Sequence, residues 1–133
     1  MSAPRILIVE DEAALAEVVS ELLIDEGYAV LRARDGITAL NMLSAGQLSL
    51  DLIVCDVMLP GLRGDRLARE IRRRFPNRRL PILFVSASGD PRVRLRDVWF
   101  LPKPVDFRNL LKTIERLLEP RLIGAVDQPL RSS

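Results

Sequence analysis

The chain has no histidine and a single cysteine, Cys55, among its 133 residues. Without histidine the usual zinc sites and the Ser-His and Cys-His nucleophile pairs cannot be assembled, and one cysteine cannot close an internal disulfide. Any metal must therefore be a hard cation on oxygen ligands. Cys55 lies within an apolar run and reads as a small buried hydrophobe, not a reactive thiol. Aromatic residues make up 5% of the chain, and they are not interleaved with its basic positions, so direct nucleic-acid binding is not expected. Long apolar runs are also absent. Ile6-Leu7-Ile8-Val9 and Leu52-Ile53-Val54-Cys55 fall far short of a membrane span, and the N-terminus lacks a signal-peptide layout. No membrane partner is expected, and a cytoplasmic location is.

The length suits one domain with one core, and the apolar content of 48% is ordinary for a globular protein. Net charge is only +2, yet its distribution is lopsided. Seven acids and no base lie between Glu10 and Glu26, whereas eleven arginines face four acids between Arg63 and Asp97. Either the molecule has two electrostatically distinct faces, or these are solvated helix surfaces.

Arg5 to Val9 is a short continuous apolar run of the kind that forms a strand buried on both faces. From Ala13 to Glu26, Leu15, Val18, Val19, Leu22 and Leu23 recur at helical spacing, and Gly27 stops them. The alternation continues with a strand at Ala29 to Ala33, a short helix at Ile37 to Ser44 and a buried strand at Leu52 to Cys55. Arg66 to Phe75 predicts a helix with Asp65 as its cap and Pro76 at its end. Strands follow at Ile82 to Val85 and Val98 to Leu101. The last helix, Phe107 to Leu118, has Asp106 as cap, Leu110, Leu111, Ile114, Leu117 and Leu118 facing inward, and Pro120 as stop. Five strands alternating with helices predict a three-layer αβα sandwich on a five-stranded parallel sheet with right-handed crossovers.

Ligands of such sheets bind at the carboxyl ends of the strands. There the sequence places Glu10, Asp11 and Glu12 after the first strand, Asp56 after the third, Ser86 after the fourth and Lys103 after the fifth. Clustered carboxylates repel one another, by about 4 kcal/mol per pair at ~4 Å and an effective dielectric near 20. A divalent cation removes that cost, and Mg²⁺ is the natural occupant, since it uses one or two carboxylates and engages phosphate oxygens. A carboxylate there can attack phosphorus, while lysine and serine supply a point charge and a short donor for a phosphoryl group.

The stretches Ile8-Val9-Glu10-Asp11-Glu12, Asp56-Val57-Met58-Leu59-Pro60-Gly61, Ser86-Ala87 and Lys103-Pro104 resemble the four signature patches of bacterial response-regulator receiver domains, in order and on the expected elements. The resemblance runs from about Arg5 to Glu119. It implies the flavodoxin-like receiver fold over residues 1–119, with 120–133 as a flexible tail. It also implies Asp56 as phosphoacceptor, and Glu10, Asp11, Asp56 and the Met58 backbone carbonyl as the Mg²⁺ site. Ser86, Ala87 and Lys103 are implied as the phosphoryl-binding and switch residues. The partners implied are a histidine kinase or histidine phosphotransfer protein and a downstream protein target. Such a domain catalyses only its own phosphorylation and dephosphorylation. Glu12 reads as a helix N-terminal acid and not as a third ligand.

Two features depart from the family. Only sixteen residues separate Ser86 from Lys103, roughly five fewer than usual, or about one and a half helical turns, so the fourth helix is expected to be cut short; Pro91 to Asp97, with only Val93 and Leu95 apolar, reads as a single turn or an irregular loop. Phe100 stands where the family places a switching aromatic, and it reads either as that switch or as core packing. The alternatives to a phosphorylation-driven receiver are an interaction scaffold of the same fold and a receiver fragment of a larger regulator or hybrid kinase. The arginines at 66, 69 and 73 favour an acidic protein partner over nucleic acid.

Overall fold

The computed structural model describes residues 3–46 and 49–119, so the expected tail lies outside the described residues. Five strands alternate with four helices: β1 (Arg5–Val9), α1 (Ala13–Asp25), β2 (Ala29–Ala33), α2 (Gly36–Ser44), β3 (Leu52–Cys55), α3 (Gly64–Arg74), β4 (Ile82–Ser86), β5 (Val98–Pro102) and α4 (Phe107–Leu118). All strand pairs are parallel, in the order β2-β1-β3-β4-β5. The chain steps outward from β1 to β2, then returns past β1 to continue through β3. The switch in strand order therefore falls between β1 and β3, where ligands of this sheet class bind.

Alternate side chains of the apolar runs feed two separate cores. Ile6 and Ile8 of β1, with Leu52, Val54, Leu83 and Val85, pack against Val19 and Leu23 of α1 and Leu110 and Ile114 of α4. Leu7 and Val9, with Ile53, Cys55, Ile82 and Phe84, pack against Leu40 and Leu43 of α2 and Leu67 and Ile71 of α3. With apolar helices on both faces, the central strands must be apolar at every position. The edge strand β5 is only half-buried.

Caps follow side-chain chemistry at α2 and α4. Asp35 accepts from the Thr38 N–H at 2.7 Å, and Asp106 accepts from the N–H groups of Arg108 and Asn109 at 3.1 and 3.2 Å. Helix α3 differs from expectation. Arg63 is its N-cap, without a side-chain cap bond, and Asp65 lies inside the first turn, where it pairs with the Arg63 guanidinium at 3.1 Å. The start is displaced because Gly64 packs directly on the chain at Asp56: a Cβ at Gly64 would collide with the Asp56 carbonyl oxygen and crowd the Val57 Cα. Gly36 meets the Leu62 carbonyl in the same way. These two contacts hold both ends of the loop that follows Asp56. On α1, Val18 is 45% exposed and lies off the inward stripe assigned to it.

Of the two forms open to Pro91 to Asp97, the irregular one is found, and nothing of the shortened fourth helix remains. No helical turn forms from residue 87 to residue 97, so α4 is the helix that follows β5. Arg92 and Asp97 adopt positive φ, 52° and 56°, which a helix cannot accommodate. The segment runs instead as a strap. Val93 and Leu95, two residues apart, pack into the α2/α3 core, and the Arg72 guanidinium donates to the carbonyls of Arg96 and Asp97 at 3.0 and 3.2 Å.

Replacing Gly64 with alanine forces a Cβ into backbone, so Gly64→Ala is expected to destabilise the fold by about 1–3 kcal/mol. A urea titration checks this as a lower midpoint at unchanged slope; a shift below ~0.5 kcal/mol would mean that the loop yields freely.

Candidate functional site

Register brings the first two acids together. Val9 pairs with Cys55 across β1 and β3, so the next residues, Glu10 and Asp56, leave the sheet side by side. Backbone bonds extend the ladder one step: the Asp56 N–H donates to the Val9 carbonyl and the Glu10 N–H to the Ala33 carbonyl, each at 3.0 Å. Both carboxylates are buried, at 7% and 8% exposure, whereas Asp11 is exposed. One oxygen from each of Glu10, Asp11 and Asp56 lies within 4.8 Å of the others. An all-oxygen, doubly buried set of this kind fits a hard divalent cation and no soft one.

Lys103 reaches this cluster from the end of β5. Its N–H donates to the Ser86 carbonyl at 3.1 Å, and its peptide bond to Pro104 is cis. Its Nζ stands 3.0 Å from Asp56 Oδ2 and 3.0 Å from Glu10 Oε1, with Glu12 Oε1 at 4.0 Å. The two remaining oxygens take backbone donors: Asp56 Oδ1 accepts from the Met58 N–H at 3.2 Å, and Glu10 Oε2 from the Glu12 N–H at 3.1 Å. Every oxygen of the two buried carboxylates thus has one donor.

Burial pushes the Glu10 carboxyl above the usual glutamate value of 4.5, against the hydrogen bonds from Lys103 and Glu12. Burial alone would lower the Lys103 ammonium, but its hydrogen bonds to Asp56 and Glu10 outweigh that and hold it above the usual 10.5. The remaining residues named from the sequence sit around this centre. Ser86 is 1% exposed, Ala87 occupies the exposed turn after β4, and Met58 is half-exposed in the loop after Asp56. The Ser86 hydroxyl is turned toward Ser88, 3.0 Å from its hydroxyl, and accepts from the Ser88 N–H at 3.3 Å. Phe100 pairs with Phe84 and packs half-buried on the α2/α3 core beside Val93 and Leu95, while Trp99 packs on the opposite core.

The chain matches the response regulator receiver domain over residues 6–115. It belongs to that family. Receiver domains are signalling modules, not turnover enzymes, and their phosphorylation and Mg²⁺ dependence are standard for the family. The phosphate regulon transcriptional regulatory protein PhoB of Escherichia coli is 31% identical over 93% of this chain and 57% of its own length. Among solved structures, the receiver domain of the hybrid histidine kinase CckA is 36% identical with a TM-score of 0.74, over 86% of this chain and 99% of that one. TrrA of Thermotoga maritima, solved in complex with Mg²⁺ and BeF, is 30% identical with a TM-score of 0.75, again over 86% and 99%. The chain spans about half the length of the curated relatives it matches.

Gly64 and Gly36, which hold the loop of this receiver after Asp56, went unnoticed in the sequence. Their signal is weak: each is a glycine opening a helix, with nothing local to show that another backbone lies against it.

The two displaced protonation equilibria set how stability follows pH. A raised Glu10 means that the folded state binds its proton more tightly than the unfolded chain, so stability declines as pH climbs through 4.5 and the range just above it. Lys103 contributes stability that is complete below 10.5 and lost as pH rises past that value. Urea midpoints without divalent cations are expected to show both declines, with the lower one missing in Glu10→Gln and the upper one missing in Lys103→Met. Parallel profiles in all three proteins would contradict the assignment.

Proposed function

We propose that this receiver accepts a phosphoryl group on Asp56 from phosphohistidine of a histidine kinase or phosphotransfer protein and passes the change to a downstream protein. The observation that carries this reading is the Lys103 ammonium, 3.0 Å from both Asp56 and Glu10, with Asp11 completing the acidic set. An Asp56 oxygen attacks phosphorus in line; the O–P bond forms, the P–N bond breaks, and the electron pair stays on the departing imidazole nitrogen. Lys103 can exchange its carboxylate contacts for a phosphoryl oxygen without leaving the site. Glu10, Asp11, Asp56 and the Met58 carbonyl would hold Mg²⁺, which when bound supplies positive charge for the phosphoryl oxygens. The similarity to TrrA, whose complex contains Mg²⁺ and BeF, supports the same occupancy here.

For the response, Ser86 must release Ser88 to donate to a phosphoryl oxygen. Ala87, the hinge of that turn, moves with it, and Phe100 on the neighbouring strand is the aromatic that would follow. Because the chain spans about half of its curated relatives, the receiver fits equally well as one unit of a longer regulator.

Acetyl phosphate with Mg²⁺ is expected to label the wild-type protein, read by intact mass, and Asp56→Asn and EDTA are each expected to abolish labelling. Labelling that survives Asp56→Asn would move the acceptor elsewhere.

A second reading, an interaction scaffold of the same fold that does not transmit phosphorylation, is favoured by one observation: the absence of a helix between β4 and β5. NMR shifts separate the two. Under the first reading, amides across residues 86–101 move when beryllofluoride and Mg²⁺ are added. Under the second they stay in place while those around Asp56 move.

A further inference from the structure

The strap from residue 87 to residue 97 does more than close a gap. Arg72 of α3 donates to the Arg96 and Asp97 carbonyls, and the Arg96 guanidinium donates back to the Pro76 carbonyl just beyond α3. Strap and helix are bolted together by these reciprocal bonds, while Val93 and Leu95 turn inward to the core. Arg92 and Arg94 are exposed at the alternate positions of the strap, and Arg66 on α3 and Arg79 beyond its end are exposed as well. None of these four has an ion-pair partner among the described residues. The stretch from Arg63 to Asp97 contains no lysine. A guanidinium offers a rigid fork that matches a carboxylate in bidentate fashion, which a lysine cannot do.

We propose that α3 and the strap form a docking surface for an acidic segment of a partner polypeptide. Two features point to carboxylates in preference to a nucleic acid. The α3 aromatic Phe75 is half-buried with Arg78 over its ring, and the exposed Phe107 belongs to α4 on the other face of the sheet, so no ring stands ready for base stacking. The opposite layer carries the acids of α1, which removes the overall positive field that draws a protein to a duplex.

The surface is tested with a fluorescent glutamate-rich peptide as probe, titrated by anisotropy. Saturable, salt-sensitive binding is expected. It should weaken by about tenfold in Arg66→Glu/Arg94→Glu and stay unchanged in Lys112→Glu, an exposed lysine on α4. Absence of binding, or equal loss in Lys112→Glu, overturns the proposal. So does tighter binding of a duplex DNA through the same arginines, or self-association in sedimentation that the double variant relieves. If the double charge reversal lowers the urea midpoint, Arg66→Gln/Arg94→Gln takes its place, and unchanged affinity there also overturns the proposal.

Discussion

Two buried carboxylates sharing one ammonium is the constraint around which this molecule is arranged. Parallel pairing of β1 with β3 leaves Glu10 and Asp56 adjacent whatever else the chain does. Two such charges about 4 Å apart repel by ~1 kcal/mol in water and by ~4 kcal/mol at an effective dielectric near 20. Lys103 offsets that repulsion, but it is delivered from β5, two strands away from β3. The ammonium reaches its partners only when β4 and β5 have joined the sheet. The centre is therefore a property of the whole sheet and of no single loop.

Around that centre the residues differ in whether they bond to the carboxylates. Asp56 and Glu10 are held by ladder extensions, by backbone donors to their outer oxygens and by Gly64 packed on the Asp56 carbonyl. Under the proposed function, a phosphoryl group at Asp56 would find the Lys103 ammonium already in place, which is the positive charge that electrostatic preorganisation requires. Ser86 is different. Its hydroxyl engages Ser88, not the carboxylates, so a neutral hydrogen bond worth about 1 kcal/mol is what a phosphoryl oxygen must outcompete. A charged acceptor is the stronger partner, so under the proposed function the balance would tip toward the phosphoryl group.

Much of this was legible in the sequence because the physics there is local or periodic. Continuous apolar runs mark strands covered on both faces, and the residues after each strand had to meet at one sheet edge. Glu10, Asp11, Asp56 and Lys103 followed from that alone, and Asp35 and Asp106 cap by the chemistry of their own side chains. What escaped depends on distant backbone. Asp65 looks like a cap, yet α3 begins earlier because Gly64 must lie on Asp56. Val18 fits the apolar stripe of α1 by spacing, yet it sits at the margin of the face that the sheet covers. The segment from Pro91 to Asp97 offered too few apolar residues for a helix, but only the Arg72 and Arg96 bonds explain why it is an ordered strap.

Under the proposed function, that strap bears on how a signal would leave the site. A helix between β4 and β5 would move as a rigid rod with its own internal hydrogen bonds. Here the chain after Ser86 is held by two apolar side chains and by guanidinium-to-carbonyl bonds near its far end. The Lys103 backbone N–H is bonded to the Ser86 carbonyl, and the Lys103 ammonium contacts Asp56, so the ends of β4 and β5 are tied to each other and to that carboxylate. On the proposed reading, displacement of Ser86 would be passed along an extended segment with anchors at residues 93 and 95 and at 96 and 97. Under the proposed function, the stretch between the Ser86 turn and the first apolar anchor at Val93, which has only its own local hydrogen bonds, is where such a displacement would be taken up. On the proposed reading the β4 end of this strap would report the state of Asp56, while the Arg72 bonds tie its far end to α3.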